Sequence, residues 1–168
     1  LNRRVDRGEA VNPATVVDAF KPRYFTLNGL SGYDAAHDPD TKPKGYVGEP
    51  LILRVLNAGI ATHAPHIHGN HVYELSGTNA NGRQVVRDNI VELDSWTMGP
   101  LERKDMLLPF VRPVDVPNAV WPPKDEPFPM VYPMHCHIEM SQTAGGGNYP
   151  QGLITDWELL GPSIPAES

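Results

Sequence analysis

Cysteine is almost missing from this chain: among 168 residues there is one, Cys136. No internal disulfide can form, so cysteine pairing says nothing about redox compartment. Basic runs are missing too, and a formal charge of −6 argues against nucleic acid as a partner. No apolar stretch approaches the roughly 20 residues that a membrane-spanning helix needs. There is no internal repeat and no sustained helical period. Leu1 is not an initiator methionine and no secretory leader pattern is seen, so the chain reads as a mature form or a processed piece.

What is present is ordinary for one globular domain: 40% hydrophobic and 20% charged residues, at a length sufficient for a sheet-on-sheet core. The 18 prolines gather in connecting segments such as Arg112–Pro129, an expected irregular surface loop. Residues 1–21 read as an arm or linker, 22–162 as the domain, and 163–168 as a tail. Within the domain, strands are predicted at Tyr24–Leu27, Leu51–Leu56, His66–Leu75, Val85–Leu93, Asp105–Val111, Val131–Ile138 and Gly152–Leu160. Turn signals separate them, at Asn28-Gly29, Asn57-Ala58-Gly59, Gly77–Gly82 and Gly99-Pro100. Ser31–Gly48 reads as a long polar loop. Many short strands divided by Gly, Pro and Asn point to an all-β sandwich or barrel.

The chemistry is concentrated in two places. His135-Cys136-His137 sets the one cysteine between two histidines, and His63-Ala64-Pro65-His66-Ile67-His68-Gly69-Asn70-His71 holds four more. Only His37 of the seven histidines lies outside them. Side chains alternate faces along a strand, so His135 and His137 point one way and Cys136 the other. His66 and His68 share a face by the same rule, while His63 falls on the opposite parity, although Pro65 blurs the count. Two groups follow: His66, His68, His135 and His137 in one, His63 with Cys136 in the other. A soft thiolate with imidazole nitrogen suits copper, and a trigonal His/His/Cys set is the electron-transfer arrangement. The imidazole-only group suits copper or zinc. Glu74 and Glu139 stand near the motifs as possible acceptors for imidazole N–H groups. Trp96, Trp121 and Trp157 read as core or loop-anchoring aromatics.

These residues resemble the C-terminal cupredoxin domain of a multicopper oxidase. Tyr24–Gly29, the Gly48-Glu49-Pro50 turn, His63–Gly69 and His135-Cys136-His137-Ile138-Glu139 match that family's order over roughly residues 22–160. The resemblance implies a cupredoxin-like Greek-key β-sandwich. It implies that His63 and Cys136 are type 1 copper ligands, His66 a type 2 ligand, and His68, His135 and His137 type 3 ligands of a trinuclear cluster. Electrons from a reducing substrate, phenolic or a metal ion, are then expected to pass through the type 1 copper to the cluster, where dioxygen becomes water. It also implies a periplasmic or extracellular setting. Such a cluster lies between two cupredoxin domains, and this chain carries motifs for one half only, so a partner domain or subunit is expected.

The pattern departs from the family at one point. A second type 1 histidine is expected five residues after the cysteine, where Ser141 stands. The run Gln142–Gln151 looks inserted before Gly152-Leu153, with Leu153 at the non-ligating axial position. Its Gly-Gly-Asn-Tyr-Pro stretch is similar to one in large bacterial relatives linked to manganese oxidation. Met140, a soft thioether beside the missing position, is the substitute ligand expected by chemistry. Two other readings are a carrier with a single copper at Cys136, and a structural cupredoxin domain without a working type 1 site.

Overall fold

The computed structural model describes residues 2–10, 12–14, 20–122 and 127–162. The expected tail lies outside them, as do 15–19 of the expected arm. The described part of that arm carries a short helix, α1 (Asn2–Asp6), followed by exposed pairs of Arg4 and Arg7 with Glu9. Exposed pairs of this kind add little stability.

Among the described residues, eight strands form two four-stranded sheets. One sheet runs β1 (Lys44–Gly45), β8 (Ile154–Leu159), β7 (Met130–Cys136), β3 (Pro65–Ile67). The other runs β2 (Leu51–Leu56), β6 (Arg103–Leu108), β4 (Val72–Thr78), β5 (Gln84–Leu93). β1 lies parallel to β8, and all other pairings are antiparallel. In β2, Leu51, Leu53 and Val55 turn toward the core while Ile52, Arg54 and Leu56 face out. β6 answers with Lys104, Met106 and Leu108 buried. Between the sheets lie Ile67, Val72, Trp96, Met98, Phe110, Trp121 and Trp157, so the three tryptophans are core residues as expected.

Trp157 is fully buried, stacked on Tyr132 at 4.6 Å and tilted against Phe110 at 5.7 Å. Removing such a ring from water is worth about 4–6 kcal/mol as an upper bound. Its indole N–H donates to the carbonyl of His68 at 2.8 Å, which ties the core to the histidine cluster.

Three expectations about secondary structure are corrected. The stretch His66–Leu75 is not one strand but two, β3 and β4, in different sheets. Gly69 makes the corner at φ +71°, and a Cβ there would come within 2.7 Å of the Tyr132 ring, so only glycine fits. Tyr24–Leu27 is not a strand; Leu27 and Leu30 exchange backbone hydrogen bonds around the expected Asn28-Gly29 turn. Ser31–Gly48 is not all loop, because it contains α2 (Gly32–His37) and β1. A further short helix, α3 (Glu139–Gln142), follows the cysteine strand.

Candidate metal centre

β3 and β7 pair with His66 opposite His135 and Pro65 opposite Cys136. Directly opposed residues share a face, so register alone brings the two imidazoles together. The pairing extends past the strand ends, where His68 N–H donates to Pro133 and His137 N–H to Ala64. All four histidines of the expected group therefore meet. Ring centroids lie 4.5 Å apart for His66–His137, 4.6 Å for His66–His68, 4.9 Å for His135–His137 and 5.1 Å for His68–His135. One ligand nitrogen from each of His66, His135 and His137 falls within 4.8 Å of the others.

The rings are held by what their second nitrogens touch. His66 Nδ1 sits 2.9 Å from the Asp94 carbonyl and 2.8 Å from Ser95 Oγ. A carbonyl only accepts, so that bond puts the proton on Nδ1 and leaves Nε2 with a free lone pair. His135 Nδ1 meets the Cys136 carbonyl at 3.1 Å, with the same result. Such partners fix tautomer and ring orientation in metal sites. His68 Nε2 and His135 Nε2 approach to 2.9 Å. With the His135 proton on Nδ1, this is a hydrogen bond in which His68 Nε2–H donates. Burial lowers the pKa of His66 below the ordinary 6.5, and the neighbouring His137 and His135 add to this against the opposing pull of Asp94. Burial lowers His68 likewise, reinforced by His66, His135 and His137. Imidazoles converging on one space are a donor set for copper or zinc. The donor set fits copper.

Behind this face lies the other expected group. Cys136 is buried against Phe25 and Leu153, and Sγ accepts backbone N–H groups from Ala64 at 3.3 Å and Ile138 at 3.4 Å. His63 is fixed by two backbone bonds with Met98, and burial lowers its pKa. Its Nδ1 lies 2.9 Å from Ser141 Oγ. Met140, the substitute ligand expected by chemistry, is 48% exposed, on the same short helix that buries Ser141.

The remaining histidines are placed elsewhere. His71 Nδ1 is 3.1 Å from Glu92, and His37 stacks on Tyr33 at 3.8 Å. Glu74 does not orient an imidazole; it is buried between Lys104 and Arg87. Burial pushes its carboxyl up, but the two cations outweigh that and hold it below its ordinary value. Glu139 binds the Gln142 side chain. Sequence reasoning did not find Asp94 and Ser95, which an isolated bridge between Ser95 and His66 and the flanking backbone bonds Ile67 N–H to Asp94 and Trp96 N–H to Pro65 bring to the site. Nor did it find that Tyr149, from the inserted run, packs edge-on against His135 at 5.6 Å.

Solved structures share this architecture. A blue copper oxidase from Nitrosomonas europaea is 25% identical with a TM-score of 0.56, over 81% of this chain and 34% of that one. The fold is that of a multicopper-oxidase cupredoxin domain. The multicopper oxidase mgLAC matches at 22% identity and TM-score 0.57, over 86% of this chain and 37% of its own. McoA, a multicopper oxidase from Aquifex aeolicus, matches at 19% identity and TM-score 0.53, over 82% and 26%. This cupredoxin domain thus spans about a third of the length of the first two proteins it matches. Neither a protein-family model nor a curated protein matches it.

Proposed function

We propose that this chain is the oxygen-reducing half of a multicopper oxidase: His66, His68, His135 and His137 supply one side of a shared trinuclear copper cluster. The observation that carries the reading is the convergence of these four imidazoles on one open face, with the Nδ1 atoms of His66 and His135 tied back to oxygen acceptors. His68 and His137 are exposed, so the face is open to a second donor set. A further cupredoxin domain or subunit supplies it, in keeping with the matched oxidases, of which this chain covers 34% and 37%. When bound, copper would supply the one-electron chemistry that turns dioxygen into water; the protein supplies orientation and neutral donors.

The family resemblance points to a phenol or a metal ion as reductant and to a periplasmic or extracellular setting. For an electron-accepting type 1 copper the chain offers His63 and Cys136, with Ser141 in place of the further imidazole. Isothermal titration of the purified chain with copper tests the proposal. Binding that disappears in the double variant His66→Ala/His135→Ala, with the far-ultraviolet spectrum unchanged, is the expected result. Binding unaltered in that variant, or no binding in the parent chain, would remove the proposal.

A further inference from the structure

Resting on that reading, we infer that Ser141 has closed the Cys136 pocket to a type 1 copper, so that the reductant-side copper of the assembly lies outside this chain. A trigonal copper–thiolate centre takes two imidazoles and one cysteine. Among the described residues, the imidazole on this side is His63, whose neighbour Ala64 donates its N–H to Cys136 Sγ. The third place is held by a serine that is 1% exposed. Its hydroxyl is a neutral, hard donor, poorly suited to a copper–thiolate site, and it is already engaged with His63 Nδ1 at 2.9 Å. The hydroxyl therefore satisfies the imidazole that a metal would need.

The backbone around Ser141 is closed as well. Leu153 N–H donates to the Ser141 carbonyl at 2.9 Å, and Thr143 and Gln142 bond back to Glu139 and Ile138. Gly152 passes so near that a Cβ there would lie 1.6 Å from that carbonyl oxygen, which explains a glycine at this point. The inserted run then folds onto the same turn, Gly145 N–H reaching Met140 and Gly147 N–H reaching Thr143. Among the described residues this packing brings in no other soft donor: Met140, beside Ser141 on the helix, is 48% exposed, and Leu153 has none. Ala64 and Ile138 N–H groups complete the surroundings of Sγ. The residues present do not fit a type 1 copper.

The test is the visible spectrum and electron paramagnetic resonance of the copper-loaded chain and two variants. The parent chain should lack the intense thiolate-to-copper band even when copper is bound at the histidine face. Ser141→His should gain it, by at least tenfold in visible absorbance, and lose it again when combined with Cys136→Ser. Should the larger side chain prevent folding, Ser141→Gly opens the same place, and added imidazole should produce the band there. An intense band in the parent chain, abolished by Cys136→Ser, would overturn the inference. So would a folded Ser141→His and an imidazole-treated Ser141→Gly that both stay colourless. Failure of the histidine-face reading looks different: the parent binds no copper, yet the variants still report on the pocket.

Discussion

One strand, β7, separates two unlike environments. On one side His135, joined by His66, His68 and His137, lines an open face where burial lowers the pKa of His66 and His68. On the other, Cys136 is buried against Phe25 and Leu153, and His63 is engaged by Ser141. Strand alternation accounts for both: residues one position apart are sent to opposite sides, so a change on one side need not disturb the other. On the proposed reading, the motif keeps one role and loses another. The H-x-H spacing survives intact, while the pocket it shares a cysteine with is short of a donor.

The comparison breaks most severely where both sides share a floor. Trp157→Ala should cost about 3–5 kcal/mol in denaturant unfolding, since it empties the core beneath His68 and removes the bond to its carbonyl. Copper binding should fail with it. Next comes a change confined to the open side: His135→Ala should weaken copper by about 100-fold or more in titration, beyond what loss of a supporting group costs. Its thermal midpoint without copper should scarcely move. A smaller effect is expected from Ser95→Ala, about tenfold in copper affinity, because the Asp94 carbonyl still holds His66 Nδ1. On the closed side, Ser141→Ala should cost about 1 kcal/mol of stability by leaving His63 Nδ1 without its partner. Copper at the open face should be unaffected by it.

The smallest effect is in pH. His63, His66 and His68 all have folded pKa values below 6.5, with burial the leading cause. Below 6.5 the unfolded chain takes up protons that the folded chain resists, so stability is fully present above 6.5 and is lost as pH falls through the lowered values. Urea midpoints of the copper-free protein, taken on either side of pH 6.5, should show this decline. A flat profile would mean that the imidazoles are no less hydrated than in the open chain.

Much of the site was legible because strand parity is a local rule. His66, His68, His135 and His137 group correctly from spacing, and so does Cys136 on the far side. The all-β sandwich follows from the same short strands, and its cupredoxin type from the resemblance that the histidine and cysteine motifs carry. What was not legible depended on contacts between distant segments. The break between β3 and β4 is set by Gly69 meeting Tyr132, a packing fact that a run of β-formers conceals. The Asp94 and Ser95 anchors follow from a pairing between segments that no spacing rule connects. Ser141 was visible as a missing histidine, but its bond to His63 required the fold of the inserted run. Met140 was favoured by chemistry; helix geometry instead buries its neighbour and leaves it half exposed.

X-ray absorption at the copper edge of the loaded chain would measure the contrast between the two sides directly. The account expects bound copper surrounded by nitrogen and oxygen donors alone, with the signal lost in His66→Ala/His135→Ala. A short copper–sulfur shell that vanishes with Cys136→Ser would contradict it.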